Sequence, residues 1–132
     1  MRILFVLPEL PHPPYTADHA RPLALLRAAA DSHEVAAVGA APDDADLGAL
    51  EELCAEVRVA PAGKVTPARR TTLAAGRGLL SPVPLVGAGR LPAVGTLVEE
   101  LVDAWRPDAM LAETLYAAHY RRPDVRLVVD LP

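Results

Sequence analysis

The chain has 132 residues, a formal net charge of −4 and one cysteine, Cys54. This length suits one domain with a single core. The charge excludes the basic stripe of a nucleic-acid surface, and a lone cysteine excludes an internal disulfide, which favours a reducing, cytoplasmic setting. No segment reaches the roughly 18–20 apolar residues of a membrane span. We expect a soluble protein, for which peripheral membrane contact stays open.

The first eighteen residues predict a buried strand and a stiff loop, which lead into a helix. Arg2–Leu7 is an apolar run typical of a strand buried on both faces of a parallel sheet. Pro8–Pro14 contains four prolines, which lack backbone donors and predict a stiff loop. A helix follows at Arg21–Asp31, with Asp18 as its cap and Pro22 in its first turn. A strand, a loop at its carboxyl end and a helix together predict the floor of a ligand crevice.

The remaining periodic segments alternate between strand and helix. They are the strand His33–Gly39, the helix Asp46–Leu53, the strand Glu56–Ala60, the helices Ala68–Leu80 and Pro92–Trp105, the strand Ala109–Ala112, the helical turn Glu113–Tyr120 and the strand Arg126–Val129. This alternation predicts an α/β fold: a Rossmann-like open parallel sheet in the order 3-2-1-4-5, with helices on both faces. The polar–apolar alternation of the third strand favours a sheet edge. The crevice is expected where the winding reverses, at the carboxyl ends of strands one and four.

Several segments, in order, resemble the amino-terminal half of family 4 glycosyltransferases. Arg21–Ala28 and His33–Val35 resemble the "R…LLRAL" helix and the "HEV" entry to strand two. Leu80–Pro84 resembles the "LLS-x-x-P" segment of a bacterial branch linked to exopolysaccharide synthesis. Pro107–Tyr116 resembles its "FDVVHVETLYMA" turn, and Leu127–Asp130 its "VVLD" strand.

The resemblance implies one half of a GT-B fold, which has two Rossmann-like domains. Residues 1–132 would be the acceptor-side amino-terminal domain, truncated after strand five. The implied activity is that of a retaining glycosyltransferase, which moves a sugar from a nucleotide-sugar donor to a saccharide or small-molecule acceptor. No cofactor is expected; the nucleotide-sugar is a co-substrate, held mainly by the absent donor domain. The chain alone is therefore expected to be inactive, because transfer needs both reactants held together.

Two alternatives to an enzyme half stay open. In the first, the chain is a non-catalytic assembly subunit that docks onto a separate donor-domain chain. In the second, it is an inactive truncated relic. An apolar strip exposed along strand five would support docking. A nucleotide-binding flavodoxin-like domain is disfavoured, because the first loop offers prolines where a phosphate cradle needs glycines.

Candidate acceptor-binding residues lie at the predicted carboxyl edge of the sheet. They are Pro8, Tyr15, Thr16, Asp18, Arg21, Glu113, Tyr116 and Asp130. Many family members have a glycine pair where Ala17 and Asp18 stand here, and a carboxylate at a helix start repels phosphate. Glu113, which replaces a family histidine, is the one catalytic candidate: either it accepts sugar hydroxyls or acts as a base, or it only begins a helical turn. Tyr116 either stacks on a sugar ring or packs beneath the crossover.

The four histidines do not predict a metal site. They are His12, His19, His33 and His119, and no two have the i, i+4 spacing of ligands on one helix. His12 and His19 flank the crevice loop, where either acceptor contact or a surface position is consistent with the sequence. Cys54 is expected to be a small buried residue without a base to activate it.

Overall fold

The computed structural model describes residues 1–61, 92–113, 117–118 and 120–130. The predicted helix Ala68–Leu80, most of the predicted turn Glu113–Tyr120 and the candidate residue Tyr116 lie outside the described residues. Within the described ranges, strands and helices alternate along the chain as predicted. They are β1 (Arg2–Glu9), α1 (Ala17–Ala30), β2 (Glu34–Ala41), α2 (Gly48–Leu53), β3 (Glu56–Pro61), α3 (Pro92–Trp105), β4 (Ala109–Glu113) and β5 (Arg126–Asp130).

The five described strands form one parallel sheet in the order β3-β2-β1-β4-β5, which confirms the predicted topology. β1 lies at the centre, and its residues from Leu4 to Leu7 are at most 1% exposed. This burial on both faces explains the unbroken apolar run. β3 is an edge strand, as predicted, but its exposure does not follow the polar–apolar alternation, because Val59 is exposed beside Arg58 and Ala60 is buried.

Helices cover both faces of the sheet. α1 and α2 pack on one face, where Leu26 and Leu50 meet Phe5 of β1. α3 packs on the other, where Val98 and other apolar residues meet Leu4. α3 has the predicted bounds because proline marks both of its ends: Pro92 is its first residue, and Pro107 disfavours a helical conformation at the residue before it.

β1 continues through Pro8, so the prediction that the strand stops before this proline is wrong. Val6 pairs with Val38 of β2, whereas Glu9 pairs with Ala40, so β1 has one extra residue between these pairs. Pro8 has no N–H to give to the ladder, and a strand tolerates it at such an irregularity. The bulge carries the strand on to Glu9, which the sequence had placed in the loop.

α1 begins at Ala17, just before the predicted start near Asp18–Arg21. Its N-cap is Thr16, in an extended conformation (φ −99°, ψ 171°), so the prediction of Asp18 as the cap is wrong. Asp18 lies in the first turn instead, and Pro22 lies inside the helix. Pro22 cannot donate to the Asp18 carbonyl, as helix geometry would otherwise require. The longer helix brings its first turn up to the carboxyl edge of the sheet.

The amino edge of the sheet is held by contacts around Arg2. The Arg2 backbone N–H donates to Asp108 Oδ2 at 2.7 Å, and its Nη1 donates to the Trp105 carbonyl at 2.9 Å. Trp105 Nε1 donates to Glu34 Oε1 at 3.1 Å. These contacts tie the end of α3 to β1 and β2. Among the helices of the described part of the chain, none is both long and apolar enough to cross a membrane.

Candidate functional site

Two groups of polar side chains meet at the carboxyl edge of the sheet, beside the first turn of α1. We name Asp18, Arg21, Glu113 and Asp130 the carboxylate–arginine cluster. We name Glu9, His12 and His19 the histidine cluster. The parallel sheet explains the convergence, because the carboxyl ends of β1, β4 and β5 all lie at one edge.

Arg21 and Asp130 form the closest contact of the carboxylate–arginine cluster. Arg21 Nε donates to Asp130 Oδ2 at 2.7 Å, and Arg21 Nη2 donates to Asp130 Oδ1 at 2.6 Å. Such two-pronged pairing fixes the guanidinium plane. The paired hydrogen bonds hold the pKa of the Asp130 carboxyl below its usual range and raise the pKa of Arg21. Both side chains are therefore charged at neutral pH.

Glu113 is the last residue of β4 and the register partner of Asp130 on β5. Burial raises the pKa of the Glu113 carboxyl, since it disfavours the charged form. The negative charges of Asp130 and then Asp18 raise this pKa further, whereas Arg21 lowers it. Among the residues that the structure describes, none forms a hydrogen bond or ion pair with the Glu113 side chain. A carboxyl with these properties can accept hydroxyl hydrogen bonds or exchange a proton.

The other predicted site residues surround the start of α1. Tyr15 is 47% exposed, and its ring meets the ring of His19 edge-on, with centroids 6.5 Å apart. Thr16 caps the helix, Asp18 is exposed in its first turn, and Pro8 is half-buried at the bulge of β1. The structure thus brings the described candidates to one edge, and Tyr116 alone lies outside the described residues.

The histidine cluster joins the end of β1 to the first turn of α1. Glu9 Oε1 lies 3.2 Å from His12 Nε2 and 3.6 Å from His19 Nε2. The ligand-type atoms of the three residues all lie within 4.8 Å of one another. His19 is 4% exposed. The loop after β1 creates this cluster by returning the chain to the strand end from which it left.

Glu9 was not predicted as a site residue, and the prediction that the histidines form no metal motif rested on the lack of i, i+4 spacing. That spacing applies to two ligands on one helix. It does not apply here, where the three residues come from a strand end, a loop and a helix. The prolines between Glu9 and His19 could have indicated the cluster. They favour a short, stiff loop that returns the chain to the end of the strand, and such a loop brings His12 and His19 close to Glu9.

Cys54 is buried, as predicted, and its environment does not activate it. Burial raises the pKa of the Cys54 thiol to about 11, which leaves it protonated and unreactive at neutral pH.

On β5, Val128 is 49% exposed, while Leu127 and Val129 are partly buried. Within this strand the exposed apolar surface is thus one valine and not the strip that docking through strand five would favour.

The chemistry of the edge follows from its charges. The carboxylate–arginine cluster has three acidic side chains against one guanidinium, and Glu9 adds a further carboxyl nearby. Such an edge provides several acceptors for hydroxyl or amine donors and repels anions. Comparison with protein-family models, with curated proteins and with solved structures found no match to this chain.

Proposed function

We propose that this chain binds the acceptor in a glycosyl-transfer reaction, as the acceptor-side half of a family 4 glycosyltransferase with a GT-B fold. The observation that carries the proposal is that Glu113 and Asp130 are neighbours in the register of β4 and β5. Arg21 donates two hydrogen bonds to the Asp130 carboxylate beside them. Carboxylates and a fixed guanidinium supply the acceptors and donors that neighbouring sugar hydroxyls require. The fold agrees with the proposal, since an open parallel sheet binds ligands at this edge.

Tyr15 and Glu113 have complementary roles in the proposed site. The Tyr15 ring is half exposed beside the first turn of α1 and offers a flat surface to the apolar face of a sugar ring. Glu113 accepts a hydrogen bond from the acceptor hydroxyl and, because of its raised pKa, takes part in proton exchange nearer to neutral pH than an ordinary glutamate. Asp130 keeps Arg21 in place and accepts a hydroxyl with its remaining lone pairs.

The charge of the site restricts the acceptor further. Asp18, Glu113 and Asp130 place three carboxyls around Arg21, so a phosphorylated or carboxylated group is repelled here. Asp18 also stands in the first turn of α1, where a bound diphosphate would need free backbone N–H groups and no carboxylate. The proposed acceptor group is therefore a neutral or amine-bearing saccharide, and the nucleotide diphosphate binds elsewhere.

Protein-detected NMR of the isotope-labelled chain tests this proposal. The chain is titrated separately with a neutral oligosaccharide, an amino sugar, a sugar phosphate, and UDP- and GDP-sugars. We expect shifts confined to residues 8–18, Glu113 and Asp130 with the first two ligands, and none with the phosphate-bearing ones. Nucleotide binding at the first turn of α1 would contradict the proposal, as would a lack of response to every saccharide in a set of bacterial exopolysaccharide fragments.

Matched variants locate the binding. Arg21→Lys keeps the positive charge but loses the two-pronged geometry, and Glu113→Gln keeps the shape but loses the charge. Each is expected to weaken saccharide binding about 10-fold, the size of one lost hydrogen bond to a charged group. The control is Arg122→Lys. Arg122 also pairs with acidic side chains, Asp103 and Asp124, but it lies at the amino edge.

A further inference from the structure

We propose that Glu9, His12 and His19 form a binding site for a divalent transition-metal ion, best suited to Zn²⁺. The site is independent of the proposed saccharide function and uses none of the residues of the carboxylate–arginine cluster. It adjoins that cluster, because His19 follows Asp18 in the first turn of α1.

The distances fit tetrahedral coordination. Zn²⁺ binds histidine nitrogen and carboxylate oxygen at about 2.0–2.2 Å, so two ligand atoms of a tetrahedron lie roughly 3.3–3.5 Å apart. Glu9 Oε1 lies 3.2 Å from His12 Nε2 and 3.6 Å from His19 Nε2. All three ligand atoms lie within 4.8 Å of one another, so small side-chain movements complete the triangle. Two imidazoles and one carboxylate favour Zn²⁺ over Mg²⁺ or Ca²⁺, which prefer oxygen ligands.

Both ring nitrogens of His12 have an oxygen within hydrogen-bond distance. His12 Nδ1 lies 3.1 Å from the Pro13 carbonyl oxygen, to which a proton on Nδ1 would be donated. His12 Nε2 lies 3.2 Å from Glu9 Oε1. In the tautomer with the proton on Nδ1, the Nε2 lone pair is directed at the position that the metal ion would share with Glu9. The Pro13 carbonyl has the role that backbone carbonyls have behind histidine ligands in metal sites.

His19 is the fixed part of the site. It is 4% exposed, and its ring contacts the ring of His12 at 5.2 Å and the edge of Tyr15 at 6.5 Å. Its Nδ1 accepts the Thr16 backbone N–H at 3.4 Å, a long hydrogen bond. Coordination through Nε2 transfers the ring proton to Nδ1 and breaks this contact. The Thr16 amide therefore reports metal binding directly.

Three protein ligands leave a fourth position for water or a substrate oxygen, as in catalytic zinc sites. The ligands come from the end of β1, the loop after it and the start of α1. A bound ion therefore clamps the crevice loop to the helix.

Calorimetric titration of the tag-free, chelator-treated chain with Zn²⁺ tests the proposal. We expect saturable binding of one ion per chain, and, with Co²⁺, the visible absorption of a tetrahedral ion. His12→Gln and Glu9→Gln should each weaken binding by at least about 10–100-fold, the loss known for removal of a residue behind a metal ligand. The amide resonance of Thr16 should shift on Zn²⁺ addition.

Two controls separate ligand loss from damage to the fold. His33→Gln changes a histidine in the turn before β2, at the opposite edge, and should keep full Zn²⁺ affinity. His19→Gln removes a buried ring, so its circular dichroism and melting temperature are measured beside those of His12→Gln, whose side chain is 13% exposed in the loop. Absence of saturable binding overturns the proposal. Equal affinity in wild type, His12→Gln and Glu9→Gln overturns it as well.

Discussion

Arg21 and Asp130 are 109 residues apart in the chain and hold each other through two hydrogen bonds of 2.7 and 2.6 Å. The pair joins α1 to the edge strand β5, across the end of β4. Glu113 ends β4 beside Asp130 in the sheet, and the charges of both Arg21 and Asp130 change the pKa of its carboxyl. The ion pair therefore does more than link two elements, because both of its charges act on the pKa of the Glu113 carboxyl.

Changes in the ion pair should move the pKa of Glu113 in opposite directions. Asp130→Asn removes a negative charge that raises this pKa and leaves Arg21 free to favour the carboxylate, so the pKa should fall. Arg21→Gln removes a positive charge that lowers it, so the pKa should rise. Carboxyl-detected NMR titration measures both. Asp124→Asn, at the amino edge, is the control, and a shift of the same sign in both test variants would refute this account.

Glu113→Gln should stabilise the protein at neutral pH. The folded-state pKa of Glu113 is raised, so the folded form favours the proton, and the charge costs stability once the pH rises above the unfolded value of about 4.3 and through the folded pKa. The gain should be below about 1 kcal/mol, because a half-exposed carboxyl is screened by water. Urea unfolding at pH 7 and pH 4 should show the gain at pH 7 and its loss at pH 4. Glu100→Gln on α3 is the exposed control, and a gain that grows toward pH 4 would contradict the assignment.

Gly39→Ala should destabilise the fold, because β1 leaves no room for a side chain at this position of β2. An added Cβ would lie 2.5 Å from the Leu7 carbonyl oxygen and 3.2 Å from Leu10 Cγ. The backbone of the bulge must then move, at a cost of roughly 1–3 kcal/mol in the free energy of unfolding. Chemical denaturation measures this loss.

Gly48→Ala is the matched control for that substitution. Its Cβ would meet Asp46 Oδ1, at 3.2 Å, on an exposed side chain that also accepts the Gly48 N–H at 3.0 Å. Turning this side chain aside costs at most that one exposed hydrogen bond, so the change in unfolding free energy should stay below about 1 kcal/mol. Equal losses in the two alanine variants would mean that the bulge at Pro8 does not crowd β2.

Arg106→Gly should stabilise the protein. Arg106 follows α3 with φ 51°, and its N–H donates to the Val102 carbonyl at 3.0 Å, as in a helix that ends in the left-handed conformation. A side chain costs about 1 kcal/mol there, and glycine avoids this cost. Thermal and urea unfolding should show a gain of that order. The exposed Arg121→Gly, which has no left-handed φ to relieve, should show no gain, and a loss in Arg106→Gly would show that contacts of the arginine outweigh the backbone effect.

The order of the sheet and the bounds of α3 were predictable from sequence because they depend on local signals. Apolar runs of strand length alternate with helical periodicity, and this alternation restricts the topology to right-handed crossovers. Pro92 and Pro107 mark the ends of α3 by their missing N–H and by steric restriction of the preceding residue. Glu113 and Asp130 could be placed at the sheet edge for the same reason, since each directly follows a recognisable apolar segment, although β4 includes Glu113, which the sequence had assigned to a helical turn.

Only the tertiary structure decided how the residues of the edge meet. Pro8 continues the strand because the ladder accommodates it at a bulge against β2, which no local signal indicates. The start of α1 at Ala17 is an exception, because its Thr16 cap is a local signal. Arg21 contacts Asp130, and His19 contacts Glu9, because the fold brings separate segments of the chain together. The sequence by itself determined which elements form and in what order, because backbone sterics and burial act locally. Which side chains become partners across the edge depends on how the strands and helices pack, which only the tertiary structure sets.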